Sequence, residues 1–378
     1  MQFSSVKSIS TDVMLLKITC LAWFIAKIMS FKLWTADRIF PIIPTFDFIS
    51  VSNDVHLFLY IVSLFGIGIV FFVPNKKIIF AVIIFEILAC LLDYMRWQPW
   101  EYQYLLTLSF FLFAKDRKQF LLLFSFLIGC TYIFSGAHKF GGSFLYTFWD
   151  RIILHKILGL QIITIKNPIV HYAGLLLCII EILIRLGFLF FKNKKYVCLM
   201  AIAMHLLIIL IYGPTGMNYN LIIFPWNLAM IFFSIVFFNQ KEALTFRFTF
   251  FKSKLNSTAV LFVGILPLFS FFDKWDHYLS FNLYSGNTKA LVICIEDPQK
   301  NSELEKYKSA AKNNKYCDGA YLVDANKWAM NELNVPVIPQ DRVYLKMQSE
   351  FNKRYPNIHT RFVYYQYPYK KENIKVLP

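Results

Sequence analysis

Apolar runs of about 16–23 residues recur along roughly the first 270 positions, and a helix of that length matches the hydrocarbon core of a bilayer. In lipid every backbone N–H and C=O must be satisfied within the segment, which restricts such runs to helices. The expected fold is therefore an all-α polytopic membrane helix bundle. Composition agrees: 57% of residues are hydrophobic, 19% are aromatic and mean hydropathy is +0.49. Ordinary soluble domains do not reach these values, so a soluble enzyme is excluded. The first run carries Lys17 and Lys27 and lacks a small-residue cleavage site, and it is expected to be retained as a span.

Nine spans are read, at 11–30, 55–73, 78–93, 104–114, 120–138, 169–191, 196–212, 220–238 and 258–272. The fourth is short for a full crossing. With nine spans the basic turns 75–77, 115–118 and 192–195 and the segment 241–254 fall on one side with the N-terminus. That side holds about 13 Lys and Arg in about 42 loop residues, against about 7 in about 71 opposite. The asymmetry predicts a plasma (inner) membrane protein with the N-terminus cytoplasmic and the C-terminus extracytoplasmic. The formal charge of +16 then reflects orientation and contact with lipid headgroups, and no nucleic-acid partner is expected.

From Asp273 onward the chain is polar. "KALVICIE" (289–296), "GAYLVD" (319–324) and "TRFVYYQY" (360–367) read as strands, and 302–314 and 340–355 as helices. The expected organisation is a transmembrane bundle over 1–272 and a small extracytoplasmic α+β domain over 273–378. Five of the seven cysteines lie in apolar runs and read as small buried hydrophobes. Cys294 and Cys317 lie in the outer domain, where a disulfide is permitted; the sequence leaves their pairing open.

Unusual polar residues collect in the non-cytoplasmic loops 93–104, 138–156 and 213–220, the last leading into "FPWN" (224–227). These loops supply Arg96, Trp100, Trp149, Asn218, Asn220, Trp226 and Asn227 as candidate substrate-binding residues. Tryptophan and arginine at such positions also read as interfacial anchors. Within the spans lie Glu86, Glu181, Arg185 and His205. Buried ionisable groups are costly in a membrane and face a bundle interior or a cavity. Glu181 and Arg185 are four residues apart, on one helix face in the favourable order. Two readings stand: a paired network that fixes helix packing, or a pocket lined by His138, Lys139, Glu181, Arg185 and His205. No two histidines are spaced i,i+4, and no metal site is assigned.

"YIFSGAHKFGGSF" (132–144) resembles the segment that follows a span in the horizontally transferred transmembrane (HTTM) family, which includes the vitamin K-dependent gamma-carboxylases. "AMHLLIILIYG" (203–213) resembles a later span of that family with an internal histidine. "RWQPWEYQY" (96–104) and "WDHYLSFNLYSGN" (275–287) are similar to segments of bacterial membrane proteins of this type, and the wider relationship extends to DoxX-like proteins. The resemblance implies Lys139 as a base acting on a reduced quinone, with His138 and His205 as further catalytic candidates. A lysine at a low-dielectric edge beside a second cation is poised to release its proton. "KFGG" stands where the family carries polar and acidic residues, and the tail of about 105 residues is much smaller than the carboxylase's lumenal part. The expectation is an enzyme or redox-linked factor acting on a quinone or other membrane lipid at the outer face. The alternative is a non-enzymatic membrane subunit that binds an extracytoplasmic protein through its C-terminal domain.

Overall fold

A computed structural model describes residues 9–377, apart from 192, 215, 219, 240–247, 296–301, 310–315, 318–320 and 369. Each of the nine apolar runs carries helix. These are α1 (Thr11–Met29), α2 (Asn53–Phe72), α3 (Lys76–Leu92), α4 (Pro99–Phe113) and α5 (Arg117–His138). After an added helix α6 (Leu145–Ile157) come α7 (Leu175–Phe190), α8 (Lys195–Tyr212), α9 (Ile223–Asn239) and α10 (Lys254–Phe272). Local chemistry sets several starts. Asn75 Oδ1 accepts from Lys77 N at 2.8 Å and Asp116 Oδ1 from Gln119 N at 2.8 Å, and Pro99 opens α4.

Among the described residues, five helices are long and apolar enough to cross a membrane: α2, α5, Pro168–Phe188, α8 and α10. The other four of the nine runs fall short for identifiable reasons. α1 has 19 residues but carries Asp12, Lys17 and Lys27, while α3, α4 and α9 have 17, 15 and 17 residues. The faces turned away from the bundle are apolar, with Phe65 and Phe72 of α2 among the most exposed side chains.

The helices run between two ends. At one, Arg117 donates to Thr11 Oγ1 at 2.9 Å and Gln119 donates to Ser253 Oγ and Asn256 Oδ1, so α1, α5 and α10 begin together. The turn at 75–77 lies about 25 Å along α3 from the opposite end, at 1.5 Å per residue. Half of the basic segment 241–254 (residues 241–247), and Lys192 of the turn 192–195, lie outside the described residues. At the opposite end the loops meet the C-terminal domain. Glu332 accepts from the amides of Ile39 and Phe40 at 2.6 and 2.9 Å, Gln98 donates to Pro336 O, and Asn287 donates to His138 O at 3.3 Å.

That domain holds one antiparallel sheet of order β2-β3-β1-β4-β5, formed by β1 (Ala290–Ile295), β2 (Lys308–Ser309), β3 (Tyr321–Asp324), β4 (Thr360–Tyr365) and β5 (Ile374–Val376). Side chains alternate across β1. Leu291, Ile293 and Ile295 join a core with Trp328 of α11 (Ala325–Leu333) and Phe351 of α12 (Asp341–Arg354). Val292 and Cys294 face the other side, where Cys294 is joined to Cys317 by a disulfide and Tyr316 stacks on Tyr365.

Two local expectations are corrected. The helix expected over 302–314 covers only Ser302–Glu305, because Lys308 and Ser309 pair with Val323 and Leu322 and complete the edge of β3. The rest of that segment, 310–314, lies outside the described residues. The stretch 138–156, read as a loop, carries α6. Its buried Leu145, Ile153 and Leu154 give it an apolar face against the bundle.

Candidate functional site

The last two turns of α5 place Ser135 and Lys139 on one side of the helix. Gly136 lets α7 approach: a Cβ there would lie 2.9 Å from Cys178 O. Small residues at membrane helix contacts serve this purpose. The close approach brings Glu181 to Lys139. Lys139 Nζ donates to both Glu181 oxygens at 2.8 Å, to Ser135 Oγ at 2.7 Å and to Ser135 O at 3.1 Å. Both members of this ion pair are 6% exposed.

A second polar chain lies deeper. Asn227 Nδ2 donates to Ile223 O at 2.8 Å, which leaves Asn227 Oδ1 to accept from His205 Nδ1 at 2.7 Å. His205 Nε2 is then the acceptor for Tyr132 OH, at 2.8 Å. The contacts therefore assign the Nδ1–H tautomer to His205.

One cavity of about 300 Å³ connects the two groups. Its wall includes Lys139 and Glu181, Tyr132, His205 and Asn227, and it is otherwise largely apolar, with Phe148, Ile180, Met200, Met204, Ile208 and Trp226. Thr131 and Lys139 both line it, so it follows α5 for about 12 Å at 1.5 Å per residue. Exposed Ala203 and Leu207, near the middle of α8, also belong to the wall, so it reaches the flank of the bundle as well as the end marked by Leu283 and Tyr284.

A second chamber of about 210 Å³ adjoins it at the junction with the C-terminal domain. The two share Ile223, Trp226, Leu283 and Tyr284. Tyr284 has a positive φ of 53° and packs against Tyr212 with ring centroids 4.1 Å apart and tilted by 30°, while its hydroxyl accepts from Asn220 at 3.2 Å. Trp226 Nε1 donates to Gln103 at 3.1 Å. The second wall is more polar, with Gln98, Asn220, Asn282, Thr288 and Lys289.

The candidate residues thus divide. Lys139, Glu181, His205, Trp226 and Asn227 share the large cavity, and Trp100 and Asn220 line the second chamber. His138 is adjacent to Lys139 in sequence but turned away from it. Its ring stacks on Phe271 at 4.1 Å and Nε2 lies 3.0 Å from Ser270 Oγ, so it is outside the cavity lining. The expected pairing along α7 is also replaced. Glu181 turns to Lys139, and Arg185 donates to Ser125 at 2.9 Å beside a separate pocket of about 20 Å³. Trp149 donates to Val170 O at 2.9 Å, and Asn218 occupies a turn at φ 46°.

Arg96 belongs to a different buried network. It donates to Leu33 O and Ala89 O at 3.0 and 2.8 Å and lies 2.9 Å from His56 Nδ1, while Asp93 pairs with Arg38. Nearby, Lys27 sits 2.8 Å from Glu86 and 3.0 Å from the ring centre of Trp34, and Trp23 donates to Glu101 at 2.6 Å. Lys27 and Glu86 are in charge contact without the alignment of a hydrogen bond. Sequence reasoning noted Glu86 but missed Lys27 and Glu101. The signal was the stripe Leu16, Cys20, Trp23 and Lys27, at intervals of three and four, which marks a buried face.

No protein-family model, curated protein or solved structure matches the chain.

Proposed function

We propose that the chain is a nine-span inner-membrane protein, N-terminus inside, that receives an isoprenoid quinone or similar lipid in the large cavity and acts on its polar head at Lys139 and Glu181. The observation that carries this reading is the joining of a buried ion pair and a buried histidine by one largely apolar cavity whose wall includes exposed residues at the middle of α8. A flank opening suits a ligand arriving from lipid. The apolar wall suits a hydrocarbon tail, and the few polar groups fix the orientation of the head.

The chemistry belongs to the pair rather than to lysine alone. Transfer of the shared proton within the pair gives amine and carboxylic acid, and the amine can then take a proton from a quinol hydroxyl, leaving ammonium, carboxylic acid and a quinolate beside the new positive charge; the reverse transfer returns the proton. His205, held through Asn227, offers its Nε2 to Tyr132 and positions that phenol at the far part of the cavity. The segments that resemble the HTTM family, 132–144 and 203–213, both line this cavity, which supports relating the bundle to that family.

Lys139→Arg tests the role of the pair. Guanidinium keeps the charge and the salt bridge but does not release a proton in proteins. The variant is expected to accumulate normally and fail to complement a null strain. Full complementation at normal abundance would remove Lys139 as a proton carrier. The alternative is a non-enzymatic subunit that engages an outer protein along the β5 edge, where Val376 is 57% exposed. It requires instead that loss of 374–378 abolishes complementation while Lys139→Arg does not.

A further inference from the structure

Between α5 and α7 the chain makes a detour from Gly142 to Tyr172. Its inner face is accounted for: Ile153, Leu154 and Ile165 pack on Ile211, Tyr212 and Ile223. Its outer face is not. Leu158, Ile162, Ile163, Ile169 and Tyr172 are 58%, 62%, 75%, 82% and 59% exposed. Contiguous apolar exposure of this kind marks a surface that something covers.

The element is also basic. Arg151, His155, Lys156 and Lys166 are all exposed. Asp150 is the one acidic residue between 142 and 172, and it is held by His171 at 2.7 Å. Beyond Tyr172 the chain leads directly into α7, which also exposes Leu176, Ile179 and Leu183.

We propose that residues 142–172 form an interfacial element that lies in the bilayer surface. The isoleucines enter the boundary of the acyl chains, and Lys156 and Lys166 engage anionic phospholipid headgroups. Mixed basic and large apolar exposure is the pattern of segments that lie on a membrane. Continuity with the apolar flank of α7 favours lipid over a protein partner as the occupant. The basic residues also sit on the side of the proposed topology where loops are normally depleted in them, so they need a local reason. Phe144, Phe148 and Ile153 of this element line the large cavity on their inner side, so the element is a wall between that cavity and the membrane surface.

The test uses the full-length protein in nanodiscs of phosphatidylcholine with phosphatidylglycerol. Cysteines placed at Ile163 and Ile169 are spin-labelled; the native free cysteines are buried and Cys294 and Cys317 are bonded. Collisions with oxygen are expected to dominate those with a water-soluble nickel chelate at both positions. Dominance of the chelate would put the segment in water, and low collision with both would put a second copy or another protein on it; either result overturns the proposal. In a parallel measurement, spin-labelled phosphatidylglycerol is expected to be motionally restricted in preference to phosphatidylcholine. Lys156→Gln with Lys166→Gln should lower that preference by about fivefold per lysine. An unchanged preference would overturn the assignment to anionic headgroups.

Discussion

Removing Lys139 alone should be far more damaging than removing both members of the Lys139–Glu181 pair. Each group is 6% exposed, and the two are joined by contacts of 2.8 Å. Lys139→Met leaves the Glu181 carboxylate buried without its partner, which costs about 3–5 kcal/mol. At about 2 °C per kcal/mol for a chain of this size, the unfolding midpoint in detergent should fall by roughly 6–10 °C. Glu181→Gln should be milder, because Lys139 keeps Ser135 and the amide oxygen still accepts one bond. Lys139→Met with Glu181→Met replaces the pair by apolar groups of similar volume, and most of the loss should be recovered. The double variant should nevertheless fail to complement a null strain. Size-exclusion thermostability read on the wild type and three variants supplies the comparison. A shift of less than about 2 °C for Lys139→Met would refute the reasoning, since it would mean that the carboxylate finds water or another partner.

Gly136→Ala places a Cβ 2.9 Å from Cys178 O and should separate α5 from α7, with a loss of about 1–3 kcal/mol, measurable by the same assay. His277 gives a pH dependence of known sign. Its burial holds the imidazole below its ordinary value of 6.5, against the pull of Asp273 and Asp276. A histidine with a lowered folded value stabilises fully above pH 6.5, and that contribution is lost as pH falls below it, because the unfolded chain binds the proton first. Thermal unfolding between pH 7 and 5 should therefore steepen in the wild type, and His277→Gln should flatten the profile. For topology, a cysteine at exposed Lys274 should react with an impermeant reagent applied outside, and one at Asn193 should not; the reverse would place the domain in the cytoplasm.

The helical runs were legible because apolar length and turn chemistry are local properties, and the strands of β1, β3 and β4 were legible from their β-branched and aromatic content. The number of crossings was less so, since charge in α1 and shortness in α3, α4 and α9 cut against simple length criteria. At the site, Lys139, Glu181 and His205 stood out as costly groups in apolar surroundings. Their partners did not. Spacing along one helix offered Arg185 to Glu181, but the approach of a second helix at Gly136 supplied Lys139 instead. Adjacency in sequence offered His138 to Lys139, but successive helical residues point about 100° apart, which sends His138 toward α10. The shared cavity follows from packing α5 against α7, α8 and α9, which no local pattern encodes.

On the proposed function, a lipid-soluble ligand occupies the cavity beside Lys139 and Glu181. The direct measurement is the isoprenoid quinone and lipid that co-purify with the protein in mild detergent, identified and counted by mass spectrometry. The comparison is with Ala203→Trp, which fills the flank opening. Close to one bound lipid-soluble molecule of a single class is expected per wild-type chain, with its loss in the variant. Absence of any stoichiometric ligand from the wild type, or equal retention by Ala203→Trp, would contradict it.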